Sequence, residues 1–320
     1  MAMIETPSQG AFPPSWSMVC LAGCLGLLGA LVFAAFPQID LSLANFFYVG
    51  DNSFFFSRGT TGNALREVIR WAFILACIAA FVGFGFMAFA SRRLLGLGFA
   101  AWIYIILCAA LGAGLVANTL FKDQWGRARP NQIVQFGGTK QFTAPLTRTD
   151  QCARNCSFVS GEAASIFVIG FAIALLAERA RRRRLFLAAL AAGSFAGFLR
   201  IGGGGHFLSD VFFAAIFMAF VARGLYWLLF ERFEAQFADE GPFHKRTMYA
   251  GQRTAAQAAR LMERAEELRK RRGGAAVEAT TRIGARLKQR WSERRRPKIA
   301  EHGPGDQQDP RGGGGAKPLD

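Results

Sequence analysis

Six long apolar runs constrain this chain more than any other feature. They fall at about residues 16–36, 71–90, 97–117, 159–177, 185–201 and 209–230, and each approaches the roughly 20 residues that a helix needs to cross a bilayer. Short alternating segments of the kind that build a closed barrel do not occur. With 52% hydrophobic residues in a chain of 320, the sequence reads as all-α: a polytopic membrane bundle of six transmembrane helices over 16–232, followed by a basic tail over 233–320. No Lys or Arg precedes the first run and it is longer than a signal-peptide core, so it is expected to remain as a span. Residues 1–15, polar and proline-containing, are expected to be disordered.

Positive charge beside a span resists translocation. Arg92 and Arg93 lie between the second and third runs, and Arg179 and Arg181 to Arg184 between the fourth and fifth. The segment 241–300 carries 17 Lys plus Arg against 5 acids, a net of +12. All three sites share one side of a six-span layout, which is therefore expected to be cytoplasmic, with both termini. Three short polar clusters fall on the opposite face. Lys122 and Arg129 follow the third run, Ser160, Gly161 and Glu162 open the fourth, and Arg200, His206 and Asp210 join the fifth to the sixth. Arg127, Lys140, Arg148 and Arg154 add further cations to that outer face, an excess that orientation does not explain.

The clusters hold the components of a phosphate site. Arg129 offers a planar fork for bidentate binding and Lys122 a compact point charge. Ser160 and Gly161 stand where a helix begins and its N–H groups are open to an anion, and Arg200 adds a third permanent cation. His206 follows four glycines that let the backbone turn tightly, and the other two imidazoles, His244 and His302, lie in the tail. Asp210, four residues on, is placed to accept the Nδ1 proton if a helix starts near His206, which leaves Nε2 as a nucleophile. Taken singly, each of these residues also fits a helix-surface or snorkelling role.

Cys152 and Cys156 are candidates for a disulfide in the outer loop, where oxidation is permitted. With no His nearby they do not suggest a metal site. Phe46, Phe47, Tyr48 and Phe54 to Phe56 make the segment 37–70 strongly aromatic, suited either to the headgroup layer or to packing on the bundle. In the tail, Ala258, Leu261, Ala265 and Leu268, then Ile283, Leu287 and Trp291, recur at helical spacing, which predicts two amphipathic helices joined by Gly273-Gly274 and ending in a disordered stretch around Gly312 to Gly315. Beside a span, such basic helices are expected to lie on anionic inner-leaflet lipid, with no nucleic acid as partner.

The segments KDQWGRARP (122–130), VSGE (159–162) and LRIGGGGHFLSD (199–210) resemble, in order, the three motifs of the type 2 phosphatidic acid phosphatase superfamily: Lys-x6-Arg-Pro, Pro-Ser-Gly-His and Ser-Arg-x5-His-x3-Asp. The resemblance covers about residues 16–230 and does not reach the tail. It implies a hydrolase in which Lys122, Arg129, Ser160, Gly161 and Arg200 hold a phosphate. His206, supported by Asp210, would attack phosphorus to give a phosphohistidine, which water resolves with no metal or other cofactor. Val159 and Leu199 replace the Pro and Ser of the family pattern. Glu162 stands where the family has the His that protonates the leaving oxygen. It is expected to be the general acid or to position a water, with a structural partnership to Arg154 or Arg200 as the alternative. The flanking segments are most similar to those of bacterial lipid A phosphatases acting at the 1- or 4′-phosphate. The implied partner is then a phosphorylated lipid in the outer leaflet of the bacterial inner membrane. Undecaprenyl diphosphate, phosphatidylglycerophosphate and phosphatidic acid are alternative substrates; phosphotransfer to another lipid and non-hydrolytic binding or transport are alternative activities.

Overall fold

The computed structural model describes residues 17–57, 59–90 and 93–294. The expected disordered segments 1–15 and 312–315, Arg92 and His302 lie outside the described residues. Helices α1 (Ser17–Ala35) and α2 (Gln38–Phe46) are followed by a two-stranded antiparallel hairpin, β1 (Tyr48–Gly50) and β2 (Ser53–Phe54). Then come α3 (Thr60–Ala90), α4 (Phe99–Lys122), α5 (Gly161–Leu176), α6 (Arg179–Gly202) and α7 (Leu208–Arg232). A short α8 (Glu234–Phe237) leads into α9 (Pro242–Arg294).

Among the described residues, five helices are long and apolar enough to cross a membrane: α1, α3, α4, α6 and α7. The fourth expected span, α5, is apolar but only 16 residues long. Helix α3 starts eleven residues before the expected 71, at Thr60, because the helical pattern runs back through its polar first turns, where Arg66, Glu67 and Arg70 lie. Large apolar side chains point outward along the peripheral helices, with Leu27 and Leu31 of α1 each 70% exposed. Such surfaces suit a lipid environment and are unfavourable in water.

Short helix α5 sits at the centre, packed on α4, α6 and α7, and buries Phe167, Val168, Phe171 and Ala172. Two glycines of α6 make the close packing feasible. A Cβ at Gly193 would lie 2.3 Å from ring carbons of Phe167, and one at Gly197 would lie 2.3 Å from Cγ1 of Val211. In lipid, where apolar surface gains little by meeting other apolar surface, such close contact is what holds helices together.

The two ends of the bundle differ in chemistry. At one end, Arg182 Nη2 donates to the carbonyl of Leu175 (3.1 Å), the last turn of α5, and Asp239 accepts from the first N–H of α4, at Phe99 (2.8 Å), and from Arg93 Nε (2.8 Å). These contacts satisfy helix-terminal groups that have no partner inside their own helix. The other end gathers the start of α3, the end of α4, the start of α5, the end of α6 and the start of α7, and so all three polar clusters.

One sequence expectation is corrected, and one open alternative is resolved. The tail forms one continuous helix, α9, across Gly273-Gly274. Each glycine costs a helix only about 1 kcal/mol relative to Ala, which strong helix formers and i,i+4 pairs such as Glu266–Lys270 and Glu278–Arg282 offset. The aromatic segment after α1 is largely folded onto the bundle. Tyr48 and Phe54 pack on Phe136, and Phe47 and Phe56 on Phe198, while Phe46 and Phe55 stay exposed.

Gly193→Leu is expected to drive α5 and α6 apart and to cost about 1–3 kcal/mol through overpacking. Denaturation in detergent should show a lower midpoint, and an unchanged midpoint would mean that these helices are less tightly packed than described.

Candidate active site

The glycine run ends α6 and turns the chain back into α7. Gly204 takes φ +67, and a Cβ there would lie 2.3 Å from the Phe54 ring, so the hairpin closes directly over the turn. Phe56 N–H donates to Gly202 O (2.9 Å) and Asn131 N–H to Gly204 O (3.1 Å). At Gly205 a Cβ would stand 2.4 Å from Arg200 Nη2. The missing side chain lets that guanidinium fold back along its own turn.

His206 follows, almost fully buried. Its Nδ1 lies 2.6 Å from the carbonyl oxygen of Ser157. A carbonyl can only accept, so Nδ1 carries the proton and Nε2 the lone pair. Burial pushes the imidazole down to about 3, with the charges of Arg200, Lys122 and Arg129 acting the same way and Asp210 opposing them. The ring is therefore neutral at any ordinary pH.

The expected Asp210–Nδ1 bond is corrected here: Asp210 Oδ2 is 3.7 Å from Nδ1. Helix α7 begins at Leu208, two residues after His206, so Asp210 sits in its first turn and reaches back to the Phe207 N–H (2.8 Å), as acids at helix starts do. The same oxygen accepts from Ser157 Oγ at 2.5 Å. Asp210 thus holds Ser157, whose carbonyl holds His206.

Arg127 completes this framework. It has no solvent exposure and donates to Asp210 Oδ1 (2.6 Å), Ser209 Oγ (2.8 Å) and Asp40 Oδ2 (2.8 Å). Its guanidinium lies 4.4 Å from the centroid of the Phe207 ring. Asp40, on α2, also accepts from the Ser209 N–H and hydroxyl. Burial raises the Asp40 carboxyl, and Arg127 pulls it back.

Around His206 stand the cations. Lys122 reaches over the start of α5, with Nζ 2.8 Å from where a Gly161 Cβ would be. Arg129 is held by the Asn155 carbonyl (2.7 Å) and side-chain oxygen (2.8 Å), both neutral acceptors. Ser160 caps α5 and donates its N–H to Asp210 O (3.2 Å). Ser160 Oγ is buried with no hydrogen-bond partner, as is Arg200 Nε. Donors buried without acceptors are costly, and both of these lie among the cations around His206.

Glu162 already occupies part of that place. Its Oε1 accepts from Arg66 Nη2 at 3.0 Å and lies 3.6 Å from Arg200 Nε. A carboxylate engaged by two guanidinium groups is suited to its ionised form, the opposite of what the proton donor expected from the sequence requires. Of the two expected partners, Arg200 is present, whereas Arg154 is directed instead at Asp123 (3.9 Å). A groove of about 190 Å³ opens beside Lys122 and Glu162, lined also by Arg70, Phe73 and Asn118.

All eight residues expected at the phosphate site are thus assembled at one end of the bundle. Cys152 and Cys156 are joined by a disulfide, with Cα atoms 5.6 Å apart, immediately before Ser157. Sequence reasoning missed Arg66, Asp40, Asn155 and Ser157, and counted Arg127 only as one of several outer cations. Asp40 carried a signal, being the one acid between residues 21 and 50. Among the described residues no group of three His, Cys, Asp or Glu could hold a metal ion.

Comparison with known proteins gives a consistent result. The PAP2 superfamily matches residues 103–234. The chain is 35% identical over 213 residues, 64% of its own length and 92% of the relative's, to a lipid A 4′-phosphatase of Francisella tularensis subsp. novicida. It is 30% identical over 202 residues, 56% and 75% of the two lengths, to a lipid A 4′-phosphatase of Rhizobium etli. No solved structure matches.

Arg127→Ala strands two buried carboxylates and is expected to cost about 3–5 kcal/mol, measured by unfolding of the purified protein in detergent; a loss under 1 kcal/mol would contradict the buried network. His206 adds a pH dependence. Its folded value, about 3, lies below the ordinary imidazole value of 6.5, so the stability gained from a neutral imidazole is full above 6.5 and is lost as pH falls toward 3. Between pH 7 and pH 5 the wild type should therefore lose stability more steeply than His206→Asn, and equal slopes would show that the ring is not desolvated.

Proposed function

The chain belongs to the PAP2 superfamily and is a phosphatase, and we propose that it removes the 4′-phosphate of lipid A through a phosphohistidine on His206. The supporting observation is the convergence of a neutral His206, three cations and two unpartnered donors at one end of an apolar bundle, in a chain whose relatives carry that activity by name. Nε2 of His206 attacks phosphorus and the bond to the lipid oxygen breaks. That oxygen takes a proton from Glu162, or from a water Glu162 holds, once the phosphate has altered the charge around it. Water then cleaves the N–P bond and frees inorganic phosphate. Lys122, Arg129, Ser160, Gly161 and Arg200 hold the phosphoryl oxygens and oppose their growing negative charge. These cations supply the neutralisation that a metal ion supplies in many other phosphatases. Asp210 acts through Ser157, which fixes the tautomer.

In this reading residues 16–232 form a six-span domain of the bacterial inner membrane, with the site facing the periplasm and both termini in the cytoplasm. At 1.5 Å per residue, the 16 residues of α5 cover about 24 Å, less than a hydrocarbon core of about 30 Å. A short fourth span is what a site recessed below the outer surface requires, because α5 begins at that site. The bias of Arg93 and Arg179 to Arg184 toward the other end supports the orientation. The basic helix α9 is read as lying on anionic inner-leaflet lipid.

The purified protein should release phosphate from lipid A in detergent, and His206→Ala should lose about 10³-fold or more of that rate, as expected when an essential nucleophile is removed. Acid-labile, base-stable phosphate on the wild type alone would identify the intermediate. Glu162→Gln should lower the rate by about 10²-fold if the side chain delivers the proton, and a full rate across pH would exclude that role. Faster release from undecaprenyl diphosphate or phosphatidylglycerophosphate than from lipid A would reassign the substrate.

A further inference from the structure

Arg66 reaches the site from α3, and neither its position nor the family resemblance marks it in the sequence. It crosses to α5 and pairs with Glu162 through Nη2–Oε1 (3.0 Å) and Nε–Oε2 (3.4 Å). Its neighbour one turn on, Arg70, is satisfied on its own helix by Glu67. Arg66 is also near enough to Arg129 and Arg200 for their charges to interact. Four cations, Arg66, Lys122, Arg129 and Arg200, therefore stand around the carboxylate of Glu162, while Asp210 is taken up by Arg127 and Ser157, and Asp123, near Lys122, accepts from the Asn155 N–H and faces Arg154. The region has an excess of positive charge even with Glu162 ionised.

We propose that Arg66 is a further phosphate-binding residue, held by Glu162 in the empty site and handed to the phosphate when the lipid binds. The proposal deepens, and rests on, the lipid-phosphatase reading above. Three features of the pair support an exchange. The side chains of Arg66 and Glu162 are 35% and 28% exposed, so the pair is weakly held compared with the fully buried Arg127 network. Arg200, expected to hold phosphate, shares the same carboxylate at 3.6 Å, so an anion drawn to Arg200 arrives beside Arg66. Finally, a phosphate dianion offers the Arg66 fork a stronger bidentate acceptor than one carboxylate does. The exchange is purely ionic, and no covalent bond forms or breaks. It would leave Glu162 without its cations and next to a phosphate, the setting in which a carboxyl group takes up and donates a proton.

The alternative is that Arg66 only clamps α3 to α5 through Glu162, and a double-mutant cycle separates the two. Full-length wild type, Arg66→Ala, Arg66→Lys, Glu162→Gln and the Arg66→Ala/Glu162→Gln double variant would be compared for lipid KM, kcat and inhibition by inorganic phosphate. Loss of a phosphate ligand is expected to raise KM and the phosphate inhibition constant by about tenfold in Arg66→Ala, with Arg66→Lys intermediate. The same fold-change should persist in the Glu162→Gln background, because there Arg66 still meets the phosphate. If the effect of Arg66→Ala disappears in that background, or if the constants never change, the proposal is overturned. Phosphate-dependent thermal stabilisation of each variant reads the same binding without turnover. A wild type that releases no phosphate from any lipid would end the lipid-phosphatase reading, and stabilisation that is as large in Arg66→Ala as in wild type would separately end this one.

Discussion

The Arg127 guanidinium has no access to water and meets two carboxylates, at 2.6 Å and 2.8 Å, so its desolvation is offset only while Asp40 and Asp210 both stay in place. That requirement joins three remote segments: the loop after α4, the short helix α2 and the first turn of α7. Asp210 is then fixed well enough to grip Ser157, and through the Ser157 carbonyl to decide which nitrogen of His206 carries the proton. The tautomer of this imidazole thus depends on a charge cluster whose nearest carboxylate oxygen stays 3.7 Å from the ring nitrogen. A backbone carbonyl as the final link is a stiff choice, since it cannot ionise or rotate away as a side chain can.

Two ion-pair systems meet at this end of the bundle and differ in burial. The Arg127 cluster is dry and satisfied on every side. The Arg66–Glu162 pair is partly wet and has unpartnered donors beside it, at Ser160 and Arg200. Desolvated pairs are rigid because separating them strands a charge, whereas hydrated pairs exchange partners at little cost. The site accordingly combines a fixed back wall, which orients the imidazole, with a front lip whose charges are only partly withdrawn from water.

Much of the architecture was legible in the sequence because it is local. Apolar runs mark helices wherever they are long enough, Ser160-Gly161 reads as a helix start, and the glycine run reads as the end of α6 and the turn into α7. The polar clusters were readable as a set because each lies at the end of such a run. What could not be read depends on long-range pairing or on the backbone. Arg127 and Asp40 are 87 residues apart, and nothing near either announces the other. Arg66 lies outside the span expected from residue 71, and it joins the site only because α3 starts at Thr60. The partner of Nδ1 is a carbonyl that every residue possesses, so no residue type could signal it. In the tail, the glycine pair suggested a break that the neighbouring helix formers override.

The shortness of α5 has a consequence for how a lipid could be handled in the proposed membrane arrangement. Because the central helix stops early, the pocket floor lies within reach of a headgroup whose acyl chains are still immersed among their neighbours. Lifting those chains into water would cost about 0.8 kcal/mol for each methylene, a sum that a handful of phosphate contacts could not meet. Sinking the chemistry toward the substrate, rather than raising the substrate toward the chemistry, leaves all of the binding energy of the cations available for the reaction itself.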